Sequence, residues 1–195
     1  MRFILASNNS AKTKEIQILA TQMGHEIINY RELLGEKLSF PQETTTSQTQ
    51  NATTKAAFIH EFLPNEIILA DDTALYLKAF PQRFGVVTAR EFVEKGIIGT
   101  EAEQQYILNL YQNNVDRAGY LLAVMAFVTP DGQTFLAKGQ GGIRVADSIR
   151  RGQWLDGLDN IMEAENGKTL SEMTLAEVIQ YHDRSRALQT LINKI

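Results

Sequence analysis

The chain opens on a short apolar run, Phe3–Ala6, that breaks at once into Ser7-Asn8-Asn9-Ser10. A helical repeat follows, with Ile16, Leu19, Ala20 and Met23 at i, i+3, i+4 and i+7. Gly24 stands where a left-handed helix stop belongs. Strand, polar loop, helix is the opening of an α/β fold. Its loop lies at the carboxyl end of a strand, where open α/β sheets bind ligands.

The rest of the sequence continues that alternation. Glu26–Asn29 is a candidate second strand, residues 40–50 (FPQETTTSQTQ) read as a polar loop, and a helix is expected from about Gln50 to Leu63, stopped by Pro64. Glu66–Ala70 has the apolar pattern of a buried strand and runs straight into Asp71-Asp72. Glu101–Tyr111 fits an amphipathic helix. Tyr120–Thr129, the turn Pro130-Asp131-Gly132 and Thr134–Ala137 predict a β-hairpin. The tail from Leu175 to Ile195 reads as helical. These elements imply an α/β domain with a mixed sheet. No linker divides the chain cleanly, so residues 1–195 are expected to form a single domain or two lobes sharing a core.

Composition removes several function classes. The net charge is −4 without a long basic run, whereas polymeric nucleic acid is held by a basic stripe. A single nucleotide stays open, since a helix N-terminus, one or two lysines and a metal can hold a triphosphate. The longest apolar runs, such as Ala118–Val128, are too short to span a bilayer, and the N-terminus reads as a strand rather than a signal peptide. The chain has no cysteine, hence no disulfide framework or thiolate nucleophile. A cytoplasmic location is the default expectation.

Two places could carry chemistry. Asp71-Asp72 directly after a buried strand are close carboxylates that repel unless a cation or proton intervenes, and Mg²⁺ favours one or two carboxylates plus substrate phosphates. Neighbours on a continuing strand face opposite sides, so a shared role requires the chain to turn there. The alternative is a loop acid capping the next helix beside a solvated neighbour. Ser7-x-Asn9-x-x-Lys12-x-x-Glu15 joins the first strand to the first helix, whose free N–H groups attract phosphate while Lys12 supplies a point charge. The alternative there is a capped helix with exposed Lys12, Lys14 and Glu15. Glu43 and Lys55 flank the Thr/Gln loop, with Asn51 near Lys55.

Taken in order, these pieces resemble the inosine-triphosphate pyrophosphatase (Ham1-like) family. Its T-x-N-x-x-K-x-x-E stands here as Ser7–Glu15, its acidic residue and N-A-x-x-K-A as Glu43 and Asn51–Ala56, and its D-D-S-G-L as Asp71–Leu75. Its P-G-x-x-S-A-R is matched by Phe84–Arg90 and its k-T-x-A-E-m by Lys168–Met173. The resemblance covers nearly the whole chain in collinear order. It implies an elongated two-lobed α/β protein, a mixed sheet flanked by helices, a nucleotide cleft between the lobes, and a homodimer. It implies hydrolysis of deaminated purine triphosphates to the monophosphate and pyrophosphate. Carried over, Ser7, Asn9 and Lys12 would hold the triphosphate with Lys55 assisting. Glu43 and Asp72 would bind Mg²⁺, Asp72 would also aim or deprotonate the attacking water, and Asp71 would support it. Thr73 replaces a substrate-contacting serine and keeps its hydroxyl.

The base end departs from the family. Its G-F-G-Y-D-P aligns with Leu155–Asn160, where Asp156 stands for the stacking aromatic and Asp159 is retained; Trp154 is either a substitute aromatic or a buried indole anchoring the loop. In the last motif the lysine is Val178, the histidine is Asp183, His182 is one place out of register, and Arg184 is kept as a substrate contact. One helical residue rotates a side chain by roughly 100°, so His182 does not simply stand in. Ala74 replaces a glycine and would strain a tight turn if φ were positive there. The expected activity is therefore Mg²⁺-dependent pyrophosphohydrolysis with altered base choice. The competing reading is a nucleotide-binding or regulatory protein of the same fold that has lost turnover.

Overall fold

The structure, a computed structural model, describes residues 1–112 and 116–194. In chain order the elements are β1 (Arg2–Leu5), α1 (Ser10–Gln22), β2 (Glu26–Asn29), α2 (Tyr30–Leu34), α3 (Gln48–Phe62), β3 (Ile68–Leu77), α4 (Thr88–Glu94), α5 (Thr100–Asn109), β4 (Gly119–Val128), β5 (Thr134–Gly141), β6 (Arg144–Val145), β7 (Met162–Glu163), α6 (Leu175–Tyr181) and α7 (Asp183–Ile192). Short 3₁₀ turns cover Gly157–Asn160 and Leu170–Glu172. Among the described residues no helix is long and apolar enough to cross a membrane.

Five strands form one sheet in the order β2-β1-β3-β4-β5, and β6 and β7 pair separately and antiparallel. β1 runs parallel to both β2 and β3, with Phe3 opposite Ile27 and Leu5 opposite Leu69. The β4–β5 hairpin closes through Thr129 and Gln133, with Gly132 in the left-handed region its turn requires. The mixed α/β architecture expected from the sequence is therefore present.

The chain falls into two compact units. The first contains Met1–Thr73, Ala123–Gly139 and the segment from Arg184 onward; the second contains Ala74–Leu122 and Gln140–Asp183. In the first, α1 packs Ile16 and Ala20 with Phe3, Leu5, Leu69, Met125 and Phe127 of the sheet, joined by Ala187, Leu188 and Leu191 of α7. Phe3 stacks on Phe127 with centroids 4.7 Å apart. Each such fully buried side chain contributes about 1.5–3 kcal/mol over an exposed one, so this cluster fixes the end of β1 from which α1 departs. The second unit buries Leu75, Phe92, Ile107, Val145, Ile161, Met162 and Val178.

One close approach in the second unit is absolute. A Cβ at Gly152 would lie 1.4 Å from the Ser171 carbonyl oxygen, and a backbone oxygen cannot swing aside as a flexible side chain can. Gly152→Ala should destabilise beyond the ~1–3 kcal/mol of ordinary overpacking. Urea unfolding of the variant checks this, and an unchanged midpoint would show that the loop yields freely.

Three expectations change. The helical tail is two helices, because His182 takes an extended conformation (φ −81°, ψ 141°) as it closes α6; Ile195 lies outside the described residues. The run Glu66–Ala70 does not end a strand, since β3 starts at Ile68 and continues through Asp71-Asp72 to Leu77. Ala74 consequently sits in regular strand and carries no positive φ. The one non-glycine residue with positive φ among those described is Phe84 (φ 61°), beside Gly85. There Glu91 accepts the Phe84 backbone N–H at 2.8 Å, and the Arg83 guanidinium lies over the Phe84 ring.

Candidate active site

The polar loop after β1 is built to start a helix. Asn9 is the N-cap of α1, its side chain accepting from the Lys12 backbone N–H at 3.0 Å, and Ser7 Oγ accepts from the Asn9 N–H. Buried Asn29, at the end of β2, donates to the Ser7 carbonyl and to Thr13 Oγ1, both at 2.9 Å, and so ties the loop to the sheet. The capped-helix alternative accounts for Asn9 but not for the charged residues of the next two turns. Lys12 and Glu15 are not simply exposed: Lys12 Nζ stands 3.2 Å from Asp71 Oδ2, and Glu15 Oε1 accepts from Arg184 Nη1 at 2.7 Å.

Because β3 does not turn at Asp71-Asp72, the two side chains point to opposite sides of the strand, as its pleat dictates. Asp71 is 2% exposed, and its Oδ2 meets Lys12, Arg184 Nε (3.1 Å) and Thr73 Oγ1 (3.2 Å), the last two residues along on the same side. Asp72 is half-buried and turns toward α3, where its Oδ2 accepts from Asn51 Nδ2 at 3.0 Å and its backbone carbonyl from Gln48 Nε2. Lys55, also on α3, donates to the Asp71 backbone carbonyl at 2.7 Å and pairs with exposed Glu43 at 2.9 Å. α3 is set in place by Ser47, whose hydroxyl caps it, and by Asn51, which also accepts from the Thr44 N–H.

The two acids therefore live in different electrostatic settings. Burial pushes the Asp71 carboxyl up, but Lys12, Arg184 and Lys55 outweigh it and hold it well below the usual carboxylate range. At Asp72 burial is again the largest influence, and Lys55, Asn51 and Lys12 do not cancel it; this carboxyl is held above its ordinary value, with Glu43 adding to the rise. Burial also lowers Lys12, with Asp71 opposing. Asp71 is thus a fixed anion already matched by cations. Asp72 is a carboxylate whose charged form burial disfavours. Asp72 and Glu43 offer oxygen only, the donor type that Mg²⁺ prefers, and a divalent ion would relieve the destabilised charge on Asp72, so these residues fit it.

Of the residues singled out in the sequence, the first unit brings together Ser7, Asn9, Lys12, Glu43, Lys55, Asp71, Asp72, Thr73 and Arg184. Trp154 and Asp159 belong to the second unit. Trp154 is 39% exposed, which is not a buried anchor for its loop. Asp159 is buried in the first 3₁₀ turn, its Oδ1 3.3 Å from His182 Nε2. The helix-rotation argument for His182 lapses, because the chain is not helical there. Sequence reasoning missed three residues as participants. Glu15 was in the motif, one turn beyond Lys12, and its spacing could have marked it as a partner for a returning arginine. Gln48 carried no local signal and Asn51 only its place in the motif beside Lys55, since a helix amide reads alike whether it faces water or a carboxylate.

The model of the Ham1 family matches residues 3–194. The chain is 33% identical to a dihydroneopterin triphosphate diphosphatase of Limosilactobacillus reuteri, covering 99% of this chain and 97% of that protein. It is 30% identical to a dITP/XTP pyrophosphatase of Leuconostoc mesenteroides, covering 100% and 96%. The solved structure of the Staphylococcus aureus Ham1 protein superposes with a TM-score of 0.77 at 25% identity, covering 100% of this chain and 97% of that one. By its whole-length match, the chain belongs to the Ham1 family.

Proposed function

We propose that this protein is a pyrophosphohydrolase that cleaves a nucleoside triphosphate, or a triphosphate ester of similar shape, between the α and β phosphates to give a monophosphate and pyrophosphate. The observation that carries the reading is the half-buried Asp72, its carboxyl raised by burial, in one unit with Lys55, Lys12 and a capped helix start. Ser7, Asn9 and the first turn of α1 receive phosphate oxygens, with the helix N-terminus favouring negative charge. Lys12 and Lys55 neutralise the charge that grows on the departing pyrophosphate. Asp72 aims the water at the α-phosphorus and accepts its proton; a carboxyl held above its usual value is a better base for that step. Mg²⁺, held by Glu43 and Asp72 when bound, supplies positive charge to the phosphate oxygens. Asp71 and Thr73 keep Lys12 and Arg184 in position. The whole chain acts as one functional unit, as a cytoplasmic homodimer, with no nucleic-acid polymer or membrane as partner.

A second reading concerns the ring rather than the reaction. The Limosilactobacillus relative is named for a pterin triphosphate, and the family's lysine and histidine are Val178 and Asp183 here. The triphosphate machinery does not distinguish a pterin ester from a nucleotide, so the ring end decides. Pyrophosphate release should be measured on ITP, XTP, dUTP, the four standard triphosphates and dihydroneopterin triphosphate, with and without Mg²⁺. Release from at least one, dependent on Mg²⁺, is expected, and the ratio of kcat/KM values assigns the ring. Binding without hydrolysis of any of them would leave a nucleotide-binding protein and overturn the proposal.

A further inference from the structure

Asn51 lies one turn past the Ser47 cap of α3, where the helix itself has no need of an amide. Ser47 already meets the open helix end, and asparagine inside a helix is a weaker helix former than alanine or leucine. The side chain is bonded away from the helix instead. Asn51 is 3% exposed, and both its donor and its acceptor positions are filled. Its Oδ1 accepts from the Thr44 N–H at 2.8 Å and from the Thr44 hydroxyl at 3.2 Å. Its Nδ2 donates to the Thr44 carbonyl at 3.2 Å and to Asp72 Oδ2 at 3.0 Å. The Thr44 N–H can only donate, so the amide oxygen must face it and the amide nitrogen must face Asp72. One side chain thus ties Asp72, on β3, to the residue next to Glu43, all within the first unit.

That link matters because the two acids arrive by different routes. Asp72 is set by a strand, whereas Glu43 stands in a segment with no helix or strand, its side chain 41% exposed. A ligand on such a segment must be ordered when an ion binds, at a cost in conformational entropy, unless the segment is already held. The Asn51–Thr44 bonds hold it, and Lys55 meets Glu43 at 2.9 Å from the same helix. At Asp72 the amide fixes one carboxylate oxygen and so sets the group about its last torsion. It does this without charge. Cations neutralise Asp71, but a neutral N–H satisfies an Asp72 oxygen and leaves the negative charge for an ion.

We propose that Asn51 is a positioning residue for the divalent ion, holding Asp72 and the Glu43 segment in one arrangement before the ion arrives. This rests on the reading of Glu43 and Asp72 as its ligands. The test uses the intact, metal-free protein. Mn²⁺ is titrated without substrate and the free ion counted by electron paramagnetic resonance, while half-saturating Mg²⁺ is read from pyrophosphate release. The unaltered chain should bind about one Mn²⁺; no bound Mn²⁺, with turnover indifferent to Mg²⁺, would remove the ligand assignment and this proposal with it. Asn51→Ala should weaken Mn²⁺ binding by about 10–100-fold and raise half-saturating Mg²⁺ by a similar factor, the usual loss when the partner of a metal ligand is removed. Ser47→Ala removes the α3 cap but touches neither acid, so it should lower the melting temperature and leave both metal values near those of the unaltered chain. Unchanged metal affinity in Asn51→Ala, or an equal loss in Ser47→Ala, overturns the positioning role while the ligand assignment stands. NMR of the unaltered chain serves where Asn51→Ala does not fold. The Asn51 side-chain amide protons should stay displaced from free-amide positions when Mg²⁺ is added, and their collapse to those positions overturns the proposal.

Discussion

Asp72→Asn is expected to lower kcat by about 10²–10⁴-fold, the range that a positioned general base contributes, while the fold persists. The amide has nearly the carboxylate's shape, and its oxygen can still accept from Asn51, which now donates at 3.0 Å to Asp72 Oδ2. What is lost is the proton acceptor and one negative ligand for a divalent ion. Steady-state pyrophosphate release at saturating substrate and Mg²⁺ checks the rate, and a melting curve checks the fold. Turnover within a few-fold of wild type would sink the assignment of Asp72 as the base. The side chain's own titration gives a second reading. Burial holds the Asp72 carboxyl above its ordinary value, so in the metal-free protein, followed by NMR, it should protonate at a higher pH than a free aspartate.

Asp71→Ala should instead act on stability. The carboxylate is 2% exposed and faces two cations, Lys12 at 3.2 Å and Arg184 at 3.1 Å. Removing it strands Lys12 and leaves Arg184 with Glu15, and breaking a buried pair in this way costs about 3–5 kcal/mol. For a chain of this size that is a fall in Tm of about 6–20 °C. Asp71→Asn, which keeps the volume but not the charge, should fall between wild type and alanine, and equal melting of all three would show that the pairing contributes nothing. The same interaction sets an acid limit. Asp71 titrates lower in the folded chain than in the unfolded one, so its contribution is full above the unfolded value near pH 4. It is lost as the pH falls below that toward the depressed folded value.

How much of this was legible depended on sequence distance. The strand–loop–helix opening and the β4–β5 hairpin are local, and β2 and the helix stop at Gly24 were read where they occur. α3 and α5 were placed within a few residues. The reach of β3 was not legible, because two consecutive acids look like the end of a strand when their partners are unseen. Those partners, Lys12, Asn51 and Arg184, lie on three helices scattered through the chain. The break at His182 was hidden for a similar reason. Nothing in residues 175–192 forbids one helix, and the interruption is tied to a burial of His182 and Asp183 that only the folded chain reveals. At the candidate site the sequence named residues that the fold gathers in the first unit, but the different surroundings of Asp71 and Asp72 come from a strand that keeps its pleat.

The Asp71–Arg184 contact also has a meaning in time. The two residues are 113 positions apart, and ribosomes add about 5–20 residues per second. For roughly 6–23 seconds of synthesis, then, Asp71 exists with Lys12 available but without Arg184. A nascent chain through this interval can place Asp71 beside Lys12, and it gains the Arg184 hydrogen bond only later. The ion-pair cluster around Asp71 reaches its final form only once α7 is made.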